Sequence, residues 1–147
     1  MSLLVPVTRS QAELSSTLRL SVMRLSRRLR AERKDNSLTL TQLATLGTME
    51  RHGPMTLGEL AAHEKVQPPS MTRIVSKLEE RGLAVREPHP DDGRLVMVRI
   101  TGEASAMLAA DRRRRDAWLA RWLRELAADE LEALRRAAPV LEKLARL

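Results

Sequence analysis

The stretch from Pro54 to Thr101 constrains the chain most, because its hydrophobic pattern switches from helical to extended spacing within a short span. Thr56-Leu57-Gly58-Glu59 has the form of a capping box, in which a threonine hydroxyl accepts from an orphan helix amide while the glutamate reaches back. Leu57, Leu60 and Ala61 then face inward on a brief helix. A second helix begins after Gln67-Pro68-Pro69-Ser70, since proline is tolerated only in a first turn, where its missing N–H costs nothing. Met71, Ile74, Val75 and Leu78 make one apolar stripe along it. The other face carries Ser70, Thr72, Arg73, Ser76 and Lys77, small or cationic groups suited to base edges and phosphates. Gly82 takes the position of a C-terminal cap.

From Leu83 the spacing becomes that of strands. Leu83–Glu87 and Leu95–Ile100 are two extended segments around the turn Pro88-His89-Pro90-Asp91-Asp92-Gly93-Arg94. Leu95, Met97 and Arg99 alternate with Val96, Val98 and Ile100, the period of a sheet with one buried face. Arg94 falls at the exposed end of the hairpin. A helix pair followed by a basic-tipped hairpin suits a grip on duplex DNA, with the arginine reaching a groove or phosphate that the helix does not touch.

The segment resembles the winged helix-turn-helix of the MarR family of bacterial transcription regulators. Ser70 to Leu83 is similar to the family's recognition helix and its exit, and Asp92-Gly93-Arg94 continuing to Ile100-Thr101 is similar to its wing signature. The match is specific over about a third of the chain and architectural elsewhere. The resemblance implies that Arg94 enters a minor groove and that Asp92 helps position it. The DNA-contact candidates are Ser70, Thr72, Arg73, Lys77, Asp92 and Arg94, with Thr39 at the start of an earlier helix. Thr72 is the weakest of the helix set, and Lys77 reads equally well as a solvated residue.

Charge supports this reading only through placement. The chain carries +7 overall, a common footprint of nucleic-acid binding. Residues 1–53 hold nine Lys/Arg against four Asp/Glu, residues 54–101 seven against seven, and residues 102–147 ten against eight. The presumed reading head is therefore neutral, and its affinity must come from cations gathered on one face. The absence of cysteine excludes disulfides, thiolate metal sites and a thiol redox sensor. Met1 to Pro6 has neither a basic n-region nor a long apolar run, so a cytoplasmic location is expected.

The rest reads as helices. Thr8-Arg9-Ser10-Gln11 and Thr39-Leu40-Thr41-Gln42 open two of them as capping boxes, the first running toward Ala31 and the second ending near Gly53-Pro54. A long helix starts at Thr101 and passes through Met107, Leu108, Trp118, Trp122 and Leu123. Asp129-Glu130-Leu131-Glu132 caps a last one, with Leu131, Leu134, Ala138, Leu141 and Leu144 on one side. Arg112-Arg113-Arg114-Arg115 points all round its helix axis and takes a structural reading. The amphipathic terminal helices expose apolar faces that a second copy would cover, and the family resemblance implies a homodimer built from them.

Trp118 and Trp122, the only aromatic residues of the Phe/Trp/Tyr class, lie one turn apart and most simply pack. The resemblance also implies a small aromatic or phenolic ligand, for which Met23, Arg28, His52 and Trp118 are the wall candidates. His52, His63 and His89 are isolated from one another in sequence, without metal-ligand spacing, so each reads as a lone exposed histidine. No phosphate-binding glycine loop, metal cluster, cofactor motif or nucleophile–base pair suggests an enzyme.

The expected fold is mainly α with a small β-wing, a winged helix-turn-helix core flanked by long N- and C-terminal dimerisation helices. It forms one domain over 1–147, with a DNA-binding lobe at about 39–101 and a helical dimerisation region at about 8–34 and 102–147. The expected function is sequence-specific double-stranded DNA binding, as a repressor on a palindromic operator released by a ligand. An effector-independent architectural DNA binder is the alternative.

Overall fold

The computed structural model describes residues 8–35 and 37–147. The expectation drawn from Met1 to Pro6 lies outside the described residues. In order the elements are α1 (Arg9–Ala31), α2 (Leu40–His52), β1 (Met55–Thr56), α3 (Leu57–His63), α4 (Pro68–Glu80), β2 (Ala84–Pro88), β3 (Val96–Ile100), α5 (Gly102–Leu123) and α6 (Ala128–Ala145). They fall into two compact units, residues 34–113 and, separately, residues up to 33 with 114–147.

In the central unit, local chemistry sets each helix boundary. Thr39 and Thr56 open α2 and α3 as full capping boxes, each hydroxyl accepting from the amide three residues on at 3.2 Å. Helix α4 starts earlier than proline spacing alone indicates, at Pro68, with both prolines in its first turn. It ends in a Schellman turn, where Leu83 N–H donates to the Leu78 carbonyl and Gly82 N–H to that of Glu79, both at 2.9 Å. Gly82 adopts φ of 68°, a conformation that side chains with a Cβ rarely take.

The chain then enters a three-stranded antiparallel sheet of order β1-β3-β2. Ala84 faces Ile100 and Pro88 faces Val96, while Met55 and Thr56 face Val98 and Met97. Each long strand begins one residue later than its hydrophobic alternation implies. Strand β1 is absent from the sequence expectation, because two residues carry no period. The core beneath this sheet is drawn from all the elements around it: Leu46 and Met49 of α2, Leu60 of α3, Met71, Val75 and Leu78 of α4, and Val98 of β3 are essentially solvent-free. Burying each such side chain contributes about 1.5–3 kcal/mol. The apolar stripe of α4 is thereby fixed inward and its polar face outward.

The second unit has a different character. Thr8 caps α1 with a full box, yet neither α1 nor α6 buries a single residue within the chain. Val22 and Met23 of α1 and Val140 and Leu144 of α6 are each at least half exposed. An apolar groove of about 850 Å³ runs between the two helices, floored by residues such as Leu18, Leu25, Leu29 and Leu141. The start of α6 corrects the expected cap. Asp129 lies inside the first turn, Ala127 is the cap residue, and Glu130 reaches back to the Ala127 amide at 2.9 Å. Pro139 stands inside α6 and gives no N–H to the Arg135 carbonyl one turn earlier, yet the helix continues to Ala145.

Candidate nucleic-acid interface

The outward face of α4 holds four candidate contacts, and their surroundings differ. Arg73 is exposed, and its guanidinium makes no hydrogen bond or ion pair among the described residues. Ser70 is half-buried in the first turn. Thr72 is exposed, but its hydroxyl already donates to the Pro68 carbonyl at 3.1 Å, which leaves it only as an acceptor. Lys77 pairs with Glu80 at 2.9 Å, and both side chains are well exposed, so the pair holds the ammonium weakly. Thr39 spends its hydroxyl on capping α2.

The hairpin end is built around Asp92. Its Oδ1 accepts from the Arg94 amide at 3.0 Å and from Arg94 Nε at 3.3 Å, while the Arg94 side chain remains 92% exposed. An arginine so exposed and still tethered to a neighbouring carboxylate is aimed outward. Behind it, Glu87 accepts from Arg99 Nε at 2.9 Å, and this carboxylate holds the Arg99 guanidinium above its ordinary range. The one acidic residue of the strands is thus occupied by a strand arginine.

One residue that links the wing to the helix has no local signature. Arg86, on β2, turns back across α4: its Nη1 lies 3.1 Å from Glu79 Oε2, and its Nη2 donates to Ser76 Oγ at 3.1 Å and to the Thr72 carbonyl at 3.5 Å. Ser76, read from the sequence as part of the outward polar face, is therefore engaged by the wing. Only its alternation on β2 hints at this contact, since it places Arg86 on the face of the buried Ala84 and opposite the buried Val98.

The remaining candidates separate between the units. In the helical unit, the Arg28 guanidinium lies over the Trp118 ring at 5.7 Å, and Trp118 and Trp122 have ring centroids 6.2 Å apart. Met23 belongs to the same unit and lines the α1/α6 groove. His52 belongs to the central unit. There the reading of three isolated histidines fails, because the ends of α2 and α3 bring His52 and His63 together with ring centroids 4.8 Å apart. Sequence distance hid this, since ten residues and a change of helix separate them. Among the described residues, no group of three metal-ligating side chains forms, and no helix is long and apolar enough to cross a membrane. From the arginine run, Arg112 forks onto Glu50, with Nη2 3.2 Å from Oε1, in keeping with a structural role.

Comparison with known proteins agrees with this geometry. The sequence model of the MarR family matches residues 38–96. An HTH-type transcriptional regulator of Mycobacterium leprae is 43% identical over 135 residues, which span 92% of this chain and 94% of that protein. The HTH-type transcriptional repressor MdtR of Bacillus subtilis is 27% identical over 142 residues, 94% of this chain and 90% of its own length. The crystal structure of a transcriptional regulator protein from Pseudomonas aeruginosa superposes with a TM-score of 0.84 at 34% identity, covering 95% of this chain and 99% of the other.

Proposed function

The chain belongs to the MarR family of DNA-binding transcription regulators, and on that premise we propose that it is a homodimeric repressor of a pseudo-palindromic operator. One observation carries the reading of the site: an Arg94 that is 92% exposed yet tethered to Asp92, on the same lobe as the unengaged Arg73 of α4. In this reading Ser70 and Arg73 meet base edges in the major groove, and Thr72, Lys77 and Thr39 meet phosphates. Arg94, held by Asp92, enters the neighbouring minor groove.

The bare apolar faces of α1 and α6 support a second copy as their cover, since no residue of either helix is buried within one chain. A two-fold dimer places two α4 helices in successive major grooves, roughly 34 Å apart. Regulators of this kind act on DNA, so the protein works in the cytoplasm. The name of the Bacillus subtilis relative, a repressor, favours repression as the sense of regulation.

Release is by a small aromatic or phenolic ligand. Arg28 over Trp118 supports this, because a cation against an indole face is a ready partner for an aromatic acid. Met23, of the same helical unit, is the further candidate there. A ligand that favours the dimer with the wrong spacing of its two α4 helices lowers DNA affinity by linkage. The test is genome-wide capture of DNA by the purified protein, followed by competition between captured and random duplexes. A steep preference for a two-fold sequence supports the proposal. Uniform binding identifies an architectural DNA binder instead.

A further inference from the structure

Asp92 can hold Arg94 only if the loop that carries Asp92 is itself held. Residues 89–95 form that loop between β2 and β3, and proline occupies both positions flanking His89. Pro90 has no N–H, so the first amides available after His89 are those of Asp91 and Asp92. Both donate to one atom: His89 Nδ1 accepts from the Asp91 amide at 3.1 Å and from the Asp92 amide at 3.2 Å. The His89 amide meanwhile closes the hairpin by donating to the Leu95 carbonyl at 3.0 Å. The ring nitrogen thus occupies the place that an Asn or Asp side-chain oxygen takes in an Asx turn.

An acceptor at Nδ1 requires a lone pair there. The ring must then be neutral with its proton on Nε2, because an imidazolium carries N–H on both nitrogens and has nothing to accept with. We propose that His89 is the positioning residue of the wing tip: its neutral ring gathers the Asp91 and Asp92 amides on Nδ1 and so sets the Asp92 carboxylate that holds Arg94. Protonation of the ring replaces two hydrogen bonds with two facing N–H dipoles and releases the turn. The charged groups around the ring are Asp91, Asp92 and Arg94 of its own loop and Glu59 at the start of α3, whose carboxylate senses the His89 charge. The turn is therefore held by the neutral ring and released by the protonated one.

The functional consequence rests on the proposed role of Arg94 in DNA binding, so the experiment reads the loop with and without DNA. In the free full-length protein, ring ¹⁵N shifts report the His89 tautomer and amide exchange reports Asp91 and Asp92. The Nε2–H tautomer is expected near pH 7.5, with both amides exchanging faster in His89→Ala and near the wild-type rate in His89→Asn, whose oxygen takes over the acceptor role. A proton on Nδ1 at that pH, or unchanged exchange in His89→Ala, overturns the proposal.

With a captured duplex, His89→Ala is expected to weaken binding about five- to fifty-fold, the scale of two net hydrogen bonds. His89→Asn should stay within about twofold of wild type, because it restores both of those bonds. Between pH 7.5 and 5.5, the span in which histidines change charge, the wild type should lose more affinity than His89→Asn, which keeps His52 and His63 as an internal control. In an Arg94→Ala background, His89→Ala should add little. Weaker binding by Arg94→Ala beside wild-type binding by His89→Ala sinks the positioning role alone. An inert Arg94→Ala sinks the wing reading, and the exchange data then decide the hold of His89 on its loop.

Discussion

Replacing Arg86 by methionine removes a guanidinium from the junction of wing and recognition helix while keeping most of its apolar stem. Three contacts are lost: the pair with Glu79 at 3.1 Å, the bond to Ser76 Oγ at 3.1 Å and the longer one to the Thr72 carbonyl at 3.5 Å. The Arg86 and Glu79 side chains are 33% and 28% exposed, so solvent screens their pair only partly. A partly screened ion pair is worth about 0.5–1 kcal/mol, and the shorter hydrogen bond about 1 kcal/mol more. The Thr72 contact is too long to add much. The expected loss is therefore about 2 kcal/mol, or roughly 4–8 °C in melting temperature for a chain of this length. Thermal and urea unfolding at one fixed protein concentration measure it, since dimerisation makes the midpoint concentration-dependent. In a cycle with Glu79→Gln, a coupling of about 0.5–1 kcal/mol is expected. A loss below about 0.5 kcal/mol, the range of ordinary surface changes, refutes the clamp.

Further outcomes follow from the same structure. Removing residues 128–147 should give a monomer or an aggregate by sedimentation, because α1 then loses both its groove and its cover; a stable truncated dimer contradicts this. Arg73→Ala should weaken operator binding by about 1–3 kcal/mol and relax base preference at one position of each half-site, whereas equal weakening on all duplexes makes it a phosphate contact. Ser70→Ala should shift preference in the same assay. The Thr56 amide and hydroxyl, bonded to Glu59, hold its carboxyl below the usual glutamate range. Its contribution to the α3 cap is therefore complete above the unfolded pKa and is lost as pH falls through the lower folded value. Glu59→Gln should make acid unfolding below about pH 4.5 less steep, and an unchanged acid limb argues against the cap.

The parts of this fold that were legible in the sequence are those set by neighbours along the chain. Thr8, Thr39 and Thr56 announce their helices because a capping box needs only four consecutive residues, and Gly82 announces the end of α4 because the Schellman turn needs a left-handed residue there. The cap of α6 was half legible: Glu130 supplies one arm of the box, but Ala127 has no oxygen for the other. What was hidden depends on distant partners. Met55 and Thr56 become a strand only through Val98 and Met97, and Arg86 meets Glu79 and Ser76 only after the wing folds back on α4. His52 and His63 meet because two helix ends converge. In the candidate site, Arg94 and Asp92 were legible as a motif, whereas the support of His89 beneath them required the turn itself.

The most direct test of the account is a groove-resolved footprint on a captured operator, comparing wild type with Arg94→Ala. Methylation protection in the major groove should mark two half-sites about one helical turn apart, with minor-groove protection on their flanks. In Arg94→Ala the major-groove pattern should persist while the flanking minor-groove protection disappears. Flanking protection that survives the substitution, or protection without two-fold register, contradicts a wing that grips DNA through Arg94 beside a helix that reads it.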